Sequence, residues 1–284
     1  MKSNRRQRPA ILVSNDDGID APGIEALVRE LKRIGEVTVV APERQQSAVG
    51  HAITMNHPLR VRPFSKNGAL FGYAVDGTPA DAVKLAVRAL LKRKPDILVS
   101  GINHGSNTAI SVLYSGTVSA ATEGTILGIP SIAVSLTTFR PVDFSFAARF
   151  SARMVRQVLK HRLPKGTLLN VNIPPLKEKD IRGVLVTRQG ESTWDDLFDA
   201  RRDPANKEYY WLTGALVETD HGRDVDQWAV SHKFVSVTPL QYDLTDYAMM
   251  DVMKQWGIEQ RRPQGKSKKG GKGKRGQGNK ERSH

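Results

Sequence analysis

Short, unbroken apolar runs alternate along residues 10–173 with longer segments in which apolar residues recur every three or four positions. The runs have the length of buried parallel strands, and the segments between them have the spacing of amphipathic helices. The pattern predicts strands at 10–14, 37–42, 95–100, 130–136 and 167–173. It predicts helices at 22–34, 78–92, 119–127 and 143–161. The first two strands and the helix between them form a β-α-β unit, which predicts a right-handed crossover and an α/β fold with parallel strands.

Outside this alternation the pattern is weaker and β-like. It predicts short strands, in part an antiparallel excursion, at 52–55, 59–61, 69–75, 184–187 and 234–238. Residues 176–240 are rich in aromatic side chains, which indicate a core or a subunit interface more than a ligand cage. These are Trp194, Tyr209, Tyr210, Trp211 and Trp228. Four neighbouring polar residues are interpreted as a solvated loop rather than a metal cluster: Asp220, His221, Asp224 and Asp226.

The positive charge of the chain is concentrated at its two ends. The formal net charge is +14, of which +4 lies in residues 1–8 and +9 in residues 261–284, so residues 9–260 are near neutral. A near-neutral body argues against nucleic-acid binding as the function of the folded part. The sequence therefore predicts a basic N-terminal arm at 1–8, one folded domain at 9–260 and a disordered basic tail at 261–284. The tail is a candidate for weak, salt-sensitive contact with RNA or polyphosphate.

The composition also indicates in which cellular compartment the protein acts. The chain has no cysteine, which excludes disulfides, thiolate metal sites and a catalytic thiol, and which fits the reducing cytoplasm. No apolar segment follows the basic residues 1–8, so no secretory signal is expected. No apolar run approaches the ~18–20 residues of a membrane span, so no membrane partner is expected.

The first predicted strand ends abruptly in an Asn-Asp-Asp-Gly sequence at residues 15–18. Two neighbouring carboxylates repel each other unless a cation lies between them, and oxygen ligands suit Mg²⁺ or Mn²⁺. On their own, Asp16 and Asp17 are explained equally well as turn and cap residues for the following helix. Ser47 after the second strand and Asn103 after the third favour a metal site, because the carboxyl ends of parallel strands meet at one edge of a sheet.

Small polar residues near this edge have the character of an anion site. Residues 101–107 are polar and interrupted by glycines, which allow close backbone approach to an anion. Residues 115–117 begin a helix of small residues, and a helix N-terminus lined with hydroxyls and amides binds anions. A capped, tightly packed helix explains residues 115–117 equally well. The candidate phosphate-binding residues are Gly105, Ser106, Asn107, Ser115, Gly116 and Thr117. A metal beside such a cradle indicates phosphoryl chemistry, with Asp16, Asp17 and Asn103 as the candidate catalytic residues.

Several motifs in this order resemble the SurE family, the stationary-phase survival proteins, which are metal-dependent 5′/3′-nucleotidases. They lie at residues 11–24, 41–47, 76–81, 100–107, 114–118 and 235–240. The resemblance implies a Rossmann-like, mostly parallel three-layer sheet with a C-terminal β-rich extension used in oligomerisation. It implies a divalent cation, Mg²⁺ or Mn²⁺, held by Asp16, Asp17, Ser47 and Asn103. It also implies hydrolysis of nucleoside monophosphates, action on short polyphosphate in some members, and a homodimer or homotetramer. Ala48 departs from the family, which usually has glycine after the ligand serine.

Two other functions compete with this one. A haloacid-dehalogenase-type phosphatase forms an aspartyl-phosphate and has two aspartates spaced two apart after its first strand, whereas here the pair is adjacent and Gly18 follows it. The second is a nucleotide- or RNA-binding protein with basic arms. The basic ends of the chain favour this function, whereas its near-neutral body argues against it. Because no Ser-His-Asp order stands out, water is the expected nucleophile, and Asp16 is expected to orient it or accept its proton. His104 is the other candidate proton acceptor.

Overall fold

A computed structural model describes residues 8–140 and 143–259 of the chain. The chain divides into two compact units, one ending at Asp243 and the other beginning at Leu244. The strands of the first unit are β1 (Ala10–Ser14), β2 (Glu36–Pro42), β3 (Val61–Lys66), β4 (Ala69–Val75), β5 (Ile97–His104), β6 (Ser131–Leu136), β7 (Thr167–Ile173), β8 (Gly183–Val186), β9 (Thr193–Arg202), β10 (Glu208–Val217) and β11 (Phe234–Gln241). Its helices are α1 (Pro22–Leu31), α2 (Pro79–Leu85), α3 (Ser111–Tyr114), α4 (Gly116–Ile126), α5 (Ser145–His161) and α6 (Asp226–Ser231). The described part of the second unit holds helix α7 (Tyr247–Gln255), which Asp246 caps by accepting a 2.9 Å hydrogen bond from the backbone N–H of Met249.

Nine strands form one sheet in the order β3-β4-β2-β1-β5-β6-β7-β11-β8, and β9 and β10 form a separate hairpin. The central strands from β4 to β7 are parallel, whereas β3 pairs with β4 and β11 pairs with β7 in the antiparallel direction. The chain proceeds from β1 to β2 on one side and later places β5 on the other side of β1. Open α/β sheets bind ligands at such a reversal of strand order, above the carboxyl ends of the strands.

Helices cover both faces of this sheet. Helices α1 and α5 pack on the core that contains Val13, and helices α2 and α4 pack on the core that contains Leu12. Strand β1 is therefore buried on both faces, which is why it reads in the sequence as a continuous apolar run. The predicted α/β architecture with a mostly parallel sheet and helices on both faces is confirmed.

Helix α2 begins at its predicted position because Thr78 caps it. The hydroxyl of Thr78 accepts a 3.1 Å hydrogen bond from the backbone N–H of Asp81, whose carboxylate accepts one of 3.0 Å from the backbone N–H of Thr78. The same carboxylate accepts hydrogen bonds from the backbone N–H of Thr54 at 2.9 Å and its hydroxyl at 2.6 Å. These bonds fix residues 52–55 to the start of the helix, and the strand predicted there is absent.

Other predicted boundaries are wrong where polar residues interrupt or extend a strand. Strand β5 continues through residues 101–104, with an irregular register between Ser100 and Asn103, so Asn103 lies within the strand rather than after it. The strand predicted at 59–61 is β3, which begins at Val61 and ends at Lys66. Residues 193–217, which were expected only to be β-like, contain the hairpin β9–β10.

The basic ends of the chain lie outside the described residues, apart from Arg8, which is exposed. The predictions of a disordered tail at 261–284 and of its contact with RNA or polyphosphate therefore stay predictions, as does the role of the β-rich extension in oligomerisation. Within residues 8–140 and 143–259, no helix is both long enough and apolar enough to cross a bilayer.

Candidate functional site

A cavity of about 1220 Å³ lies at the carboxyl ends of β1 and β5, at the reversal of strand order. Most of the site residues predicted from the sequence line it. They are Asp16, Asp17, Ser47, Asn103, Gly105, Ser106, Asn107 and Ser115. Gly116 and Thr117 do not line it. The parallel topology thus brings segments that are far apart in the sequence to one cavity, as the strand-end argument predicts.

Asp16 and Asp17 follow the end of β1 and sit in partly buried surroundings. Asp16 is 7% exposed, and one of its carboxylate oxygens accepts a hydrogen bond from the hydroxyl of Thr117. Burial raises the pKa of Asp16 to about 6 against that hydrogen bond, and the negative charge of Asp17 adds to the rise. Burial also raises the pKa of Asp17 above its ordinary value, although its carboxylate accepts a 3.0 Å hydrogen bond from the backbone N–H of His104.

No lysine or arginine among the described residues forms an ion pair with Asp16 or Asp17. Two like charges therefore lie side by side in a region of low exposure without a lysine or arginine to pair with them. A bound cation relieves this condition, because a nearby opposite charge favours the ionised form of both carboxylates. The pair fits a cation site on this ground alone.

Asn103 and Ser47 supply the remaining oxygen donors. The amide nitrogen of Asn103 donates a 2.8 Å hydrogen bond to the carbonyl of Gly105, which leaves its amide oxygen as a free acceptor. Ser47 is exposed, and its hydroxyl accepts a 2.9 Å hydrogen bond from the side chain of Gln45. Across the described ranges no group of three or more His, Cys, Asp or Glu side chains is arranged to hold a metal. The donor set here is thus two carboxylates with neutral oxygens, which Mg²⁺ and Mn²⁺ accept.

The loop that carries Ser47 is anchored by an ion-pair cluster. The Nε2 atom of His51 lies 3.0 Å from one carboxylate oxygen of Glu123, and the Nζ atom of Lys84 lies 2.7 Å from the other. The side chain of Glu123 is only 3% exposed. Burial opposes its ionisation, but the hydrogen bonds from His51 and Lys84 outweigh burial and hold the pKa of Glu123 below its ordinary value. The charged carboxylate therefore fixes the loop to helix α4.

Asn107 is held in place by side chains from β6 and β7. Its backbone N–H donates to the side-chain oxygen of Asn172 at 2.9 Å, and its carbonyl accepts from the amides of Asn170 at 2.8 Å and Asn172 at 3.0 Å. Its own side-chain amide donates to the hydroxyl of Ser135 at 2.8 Å. A residue that lines the cavity is thus fixed by buried polar groups of two neighbouring strands.

Gly116 and Thr117 lie behind Asp16, outside the cavity. Thr117 is fully buried and donates its hydroxyl proton to Asp16. A Cβ atom at Gly116 would lie 2.7 Å from the Cβ atom of Asp16, so any side chain there would displace the carboxylate. Ser115 caps helix α4 by accepting a 3.0 Å hydrogen bond from the backbone N–H of Val118, and it also lines the cavity. The helix start therefore positions Asp16 through Gly116 and Thr117, two of the six residues that were predicted to bind phosphate.

The family model of Survival protein SurE matches residues 11–196. A relative named 5′-nucleotidase SurE, from Chlorobaculum tepidum, is 47% identical over 257 residues, which make up 90% of this chain and 98% of the relative. A relative of the same name from Syntrophobacter fumaroxidans is 50% identical over 248 residues, which make up 87% and 99%. The chain belongs to the SurE family. The crystal structure of a SurE protein from Aquifex aeolicus is similar, with a TM-score of 0.77, 43% identity, and coverage of 88% of this chain and 100% of that one.

The site of this SurE chain also depends on a residue that was misinterpreted from the sequence. Asp226 was interpreted as part of a solvated loop, but it is fully buried at the start of α6. Its carboxylate accepts hydrogen bonds from the backbone N–H groups of Ala109 and Gly190 at 3.0 Å and of Gln227 at 2.8 Å. Burial raises the pKa of Asp226 against these hydrogen bonds. The hydroxyl of Thr108 donates a 2.5 Å hydrogen bond to the side chain of Gln227. Helix α6 thus fixes the segment that follows Asn107.

The solvated-loop interpretation holds for Asp224, whereas the side chain of Asp220 is only 12% exposed. Asp220 and Asp224 both pair with Arg188, at 2.6 Å and 3.0 Å, and Asp224 is 65% exposed. No sequence signal marked Asp226 as different, because its partners are backbone N–H groups in distant segments of the chain. The match to the SurE family model does not point to Asp226 either, because it ends at residue 196, before α6 begins.

The hairpin β9–β10 is the second feature that the sequence did not reveal as part of this SurE site. Six of its residues line the cavity: Thr193, Trp194, Asp196, Leu212, Thr213 and Gly214. Trp194 therefore differs from the expectation that the aromatic residues serve a core or an interface. The sequence does offer one signal for a hairpin. It is the polar Asp-Pro-Ala-Asn-Lys turn, which joins the two ten-residue strands.

Proposed function

We propose that this SurE-family protein is a divalent-metal-dependent nucleotidase that hydrolyses nucleoside 5′-monophosphates, and also 3′-monophosphates, to nucleoside and phosphate. The observation that carries this function is the carboxylate pair Asp16 and Asp17, which forms no ion pair with a lysine or arginine among the described residues and lies beside a polar loop in a large cavity. The relatives named 5′-nucleotidase SurE support the substrate class. Short polyphosphate presents the same phosphoryl group and is a second substrate in this proposal.

The cation would be Mg²⁺ or Mn²⁺, held by Asp16, Asp17, Asn103 and Ser47. When bound, it supplies Lewis-acid polarisation of the phosphoryl group and neutralises the negative charge that develops there. Thr117 and the close packing at residue 116 orient the Asp16 carboxylate, so that the anionic oxygens are positioned before substrate arrives.

The phosphate would be bound by residues that the structure already holds in place. Gly105, Ser106, Asn107 and Ser115 line the cavity beside the carboxylates. Small side chains and backbone N–H groups in such a loop allow close approach of a dianion. We expect the anchors of Asn107 on β6 and β7 to keep this cradle rigid, because a fixed donor loses no orientational freedom when it binds.

Water is the nucleophile in this proposal. A bond forms between the water oxygen and phosphorus, the bond between phosphorus and the ester oxygen breaks, and the nucleoside oxygen leaves with a proton. Asp16 orients the water or accepts its proton. His104 is the alternative acceptor. Its Nε2 lies 2.7 Å from the carbonyl of Arg140 and must donate to it, so Nδ1 is the ring atom left to accept a proton. Trapping of a phosphoryl-enzyme by rapid quench would favour the haloacid-dehalogenase mechanism instead.

The assembly and location of the protein complete the proposal. The β-rich segments after residue 176 are consistent with a homodimer or homotetramer, and the protein would act in the cytoplasm. The basic residues beyond 260 would add weak, salt-sensitive attraction for RNA or polyphosphate.

The direct test replaces Asp17 by asparagine and measures phosphate release from AMP with Mg²⁺ or Mn²⁺ and with EDTA. Loss of a residue that only hydrogen-bonds to a metal ligand commonly costs about 10–100-fold in metal affinity or activity. Removal of an anionic ligand itself should therefore cost at least roughly 100-fold in kcat/KM. Asp20→Asn is the matched control, because Asp20 is 73% exposed and does not line the cavity. It should stay within about twofold of the wild type, since exposed ion pairs contribute little.

Metal binding by calorimetry makes the same test independent of turnover. Asp17→Asn should weaken binding of Mn²⁺ at equilibrium while the far-ultraviolet circular dichroism spectrum stays unchanged. Near wild-type activity together with unchanged Mn²⁺ affinity in Asp17→Asn would refute the assignment of the carboxylate pair.

A further inference from the structure

The cavity is much larger than a phosphate site requires. Its volume is about 1220 Å³, whereas sites that enclose whole drug-sized molecules measure about 300–1,000 Å³. The phosphate cradle and the carboxylates occupy the part of the lining that comes from the segments after β1 and β5 and from Ser115, the residue before α4. A separate part of the lining comes from the hairpin β9–β10, which has no place in the chemistry described so far.

The lining residues of the hairpin belong mostly to one face. Three cross-strand pairs share the face that includes Trp194, and we call it the cavity face: Trp194–Leu216, Asp196–Gly214 and Phe198–Leu212. Side chains alternate between the two sides of a strand, and directly opposed residues point to the same side. Trp194, Asp196, Leu212 and Gly214 all line the cavity, so this face is turned toward the space in which substrate would lie.

Gly214 leaves a bare patch in the middle of the cavity face. Its φ is +144°, and a Cβ atom there would lie 2.2 Å from the carbonyl oxygen of Asp195, so this position does not accept a side chain. Leu212 flanks the patch along the strand, and Asp196 lies directly across from it. A flat ring can rest against the backbone here, because Gly214 lines the cavity without a side chain.

The groups around the patch are suited to an aromatic heterocycle. The indole nitrogen of Trp194 donates a 3.2 Å hydrogen bond to the hydroxyl of Ser111, which ties the ring to α3, and the residue remains 46% exposed. The carboxylate of Asp196 makes no hydrogen bond or ion pair with any described residue. Asp196 and Trp194 are two positions apart on β9, about 7 Å along the strand, which is within the span of a purine.

We propose that the cavity face of the hairpin is the nucleobase subsite: the base lies over Gly214 against the indole of Trp194, and Asp196 accepts a hydrogen bond from an amino group on the base. This inference rests on the proposed nucleotidase function. An ionised carboxylate can only accept hydrogen bonds, so the subsite favours bases that carry an exocyclic amino group, such as adenine, over hypoxanthine, which has a carbonyl in its place.

The first test compares substrates with and without a base. Alanine replacement of an aromatic side chain on which a base stacks costs about 10-fold or more in binding. Trp194→Ala should therefore raise KM for AMP about 10-fold more than KM for ribose 5-phosphate. Trp211→Ala is the matched control, because Trp211 pairs with Asp199 on the opposite face of the same hairpin. Equal changes for the two substrates, or no change for AMP, would overturn the stacking role of Trp194.

The second test examines the amino group. Asp196→Asn should reduce the preference for AMP over IMP, measured as the ratio of their kcat/KM values, at least several-fold. Asp195→Asn, on the opposite face of the same strand, should leave that ratio unchanged. An unchanged ratio in Asp196→Asn would contradict its contact with the base.

Equilibrium binding separates the subsite from the proposed activity. If the wild type hydrolyses neither AMP nor ribose 5-phosphate, the nucleotidase function fails, and calorimetric binding of AMP with Mg²⁺ to the full chain still decides the subsite. Weaker binding of AMP to Trp194→Ala than to Trp211→Ala would support the subsite, and equal binding to both would refute it.

Discussion

Replacement of Asp16 by asparagine should stabilise the metal-free protein at alkaline pH while it abolishes catalysis. The pKa of Asp16 is about 6 in the folded protein, against an ordinary value of 3.8. The folded state therefore binds the Asp16 proton more tightly than the unfolded state does, so the stability of the wild type falls as pH rises from about 4 through 6. Above that range the carboxylate is ionised in both states, and the full cost of burying its charge remains.

The magnitude follows from the size of the shift. A difference of about 2 pKa units between the two states corresponds to about 3 kcal/mol, because one unit is worth 1.36 kcal/mol. Asparagine has nearly the same shape, and its side-chain oxygen can accept the hydrogen bond from Thr117. Asp16→Asn should thus raise the free energy of unfolding by up to about 3 kcal/mol at pH 8, and by about half as much at pH 5.

Urea unfolding in EDTA at pH 5 and pH 8 measures this difference directly. Asp20→Asn serves as the control for a change of net charge, since its side chain is exposed. Addition of Mg²⁺ or Mn²⁺ should raise the unfolding midpoint of the wild type and leave that of Asp16→Asn nearly unchanged. The reasoning is refuted if metal-free Asp16→Asn is less stable than the wild type at pH 8, or if its advantage does not shrink at pH 5.

Two further predictions concern residues that hold the site from outside. Asp226→Asn should raise KM for AMP, because an amide cannot accept all three backbone hydrogen bonds that hold the segment after Asn107. The exposed Asp224→Asn should leave KM unchanged, and equal effects of both substitutions would contradict the role of Asp226. Glu123→Gln should weaken Mn²⁺ binding roughly 10-fold, because the loop that carries Ser47 loses its charged anchor at His51. Calorimetric titration with Mn²⁺ checks this. Unchanged Mn²⁺ affinity would show that Glu123 does not hold the Ser47 loop in its binding position.

The candidate ligand residues could be located from the sequence because buried parallel strands leave a clear mark in it. The apolar run of β1 stops at Asn15, and the topology of a parallel sheet alone brings Asp16 close to Asn103. Helix α2 was predictable from Thr78 and Asp81, whose capping interactions are local. In each case the physical cause lies within a few residues or follows from strand direction.

The supporting residues were not predictable, because their partners are distant and chemically unspecific. Thr117 was expected to meet phosphate, but a hydroxyl bonds to whichever acceptor the fold presents, and here that acceptor is Asp16, 101 residues away in the chain. Asp226 binds backbone N–H groups, which every segment offers. The hairpin β9–β10 has mostly exposed residues on both strands, so it lacks the apolar periodicity that reveals buried elements.

The anchoring of Asn107 has a consequence for how the protein is made. All four candidate ligands of the cation lie within the first 103 residues, whereas Asn107 is fastened by residues 63 and 65 positions later, and the backbone of Ala109 is fastened to Asp226, 117 positions later. A ribosome adds about 5–20 residues per second, so on the order of 10 s separate the synthesis of these candidate ligands from that of Asp226. Early in that interval the nascent chain carries the two carboxylates but lacks β6 and β7, which hold Asn107. Completion of the cavity lining is thereby tied to completion of the chain, and a fragment released early carries the carboxylates without the residues that fix Asn107.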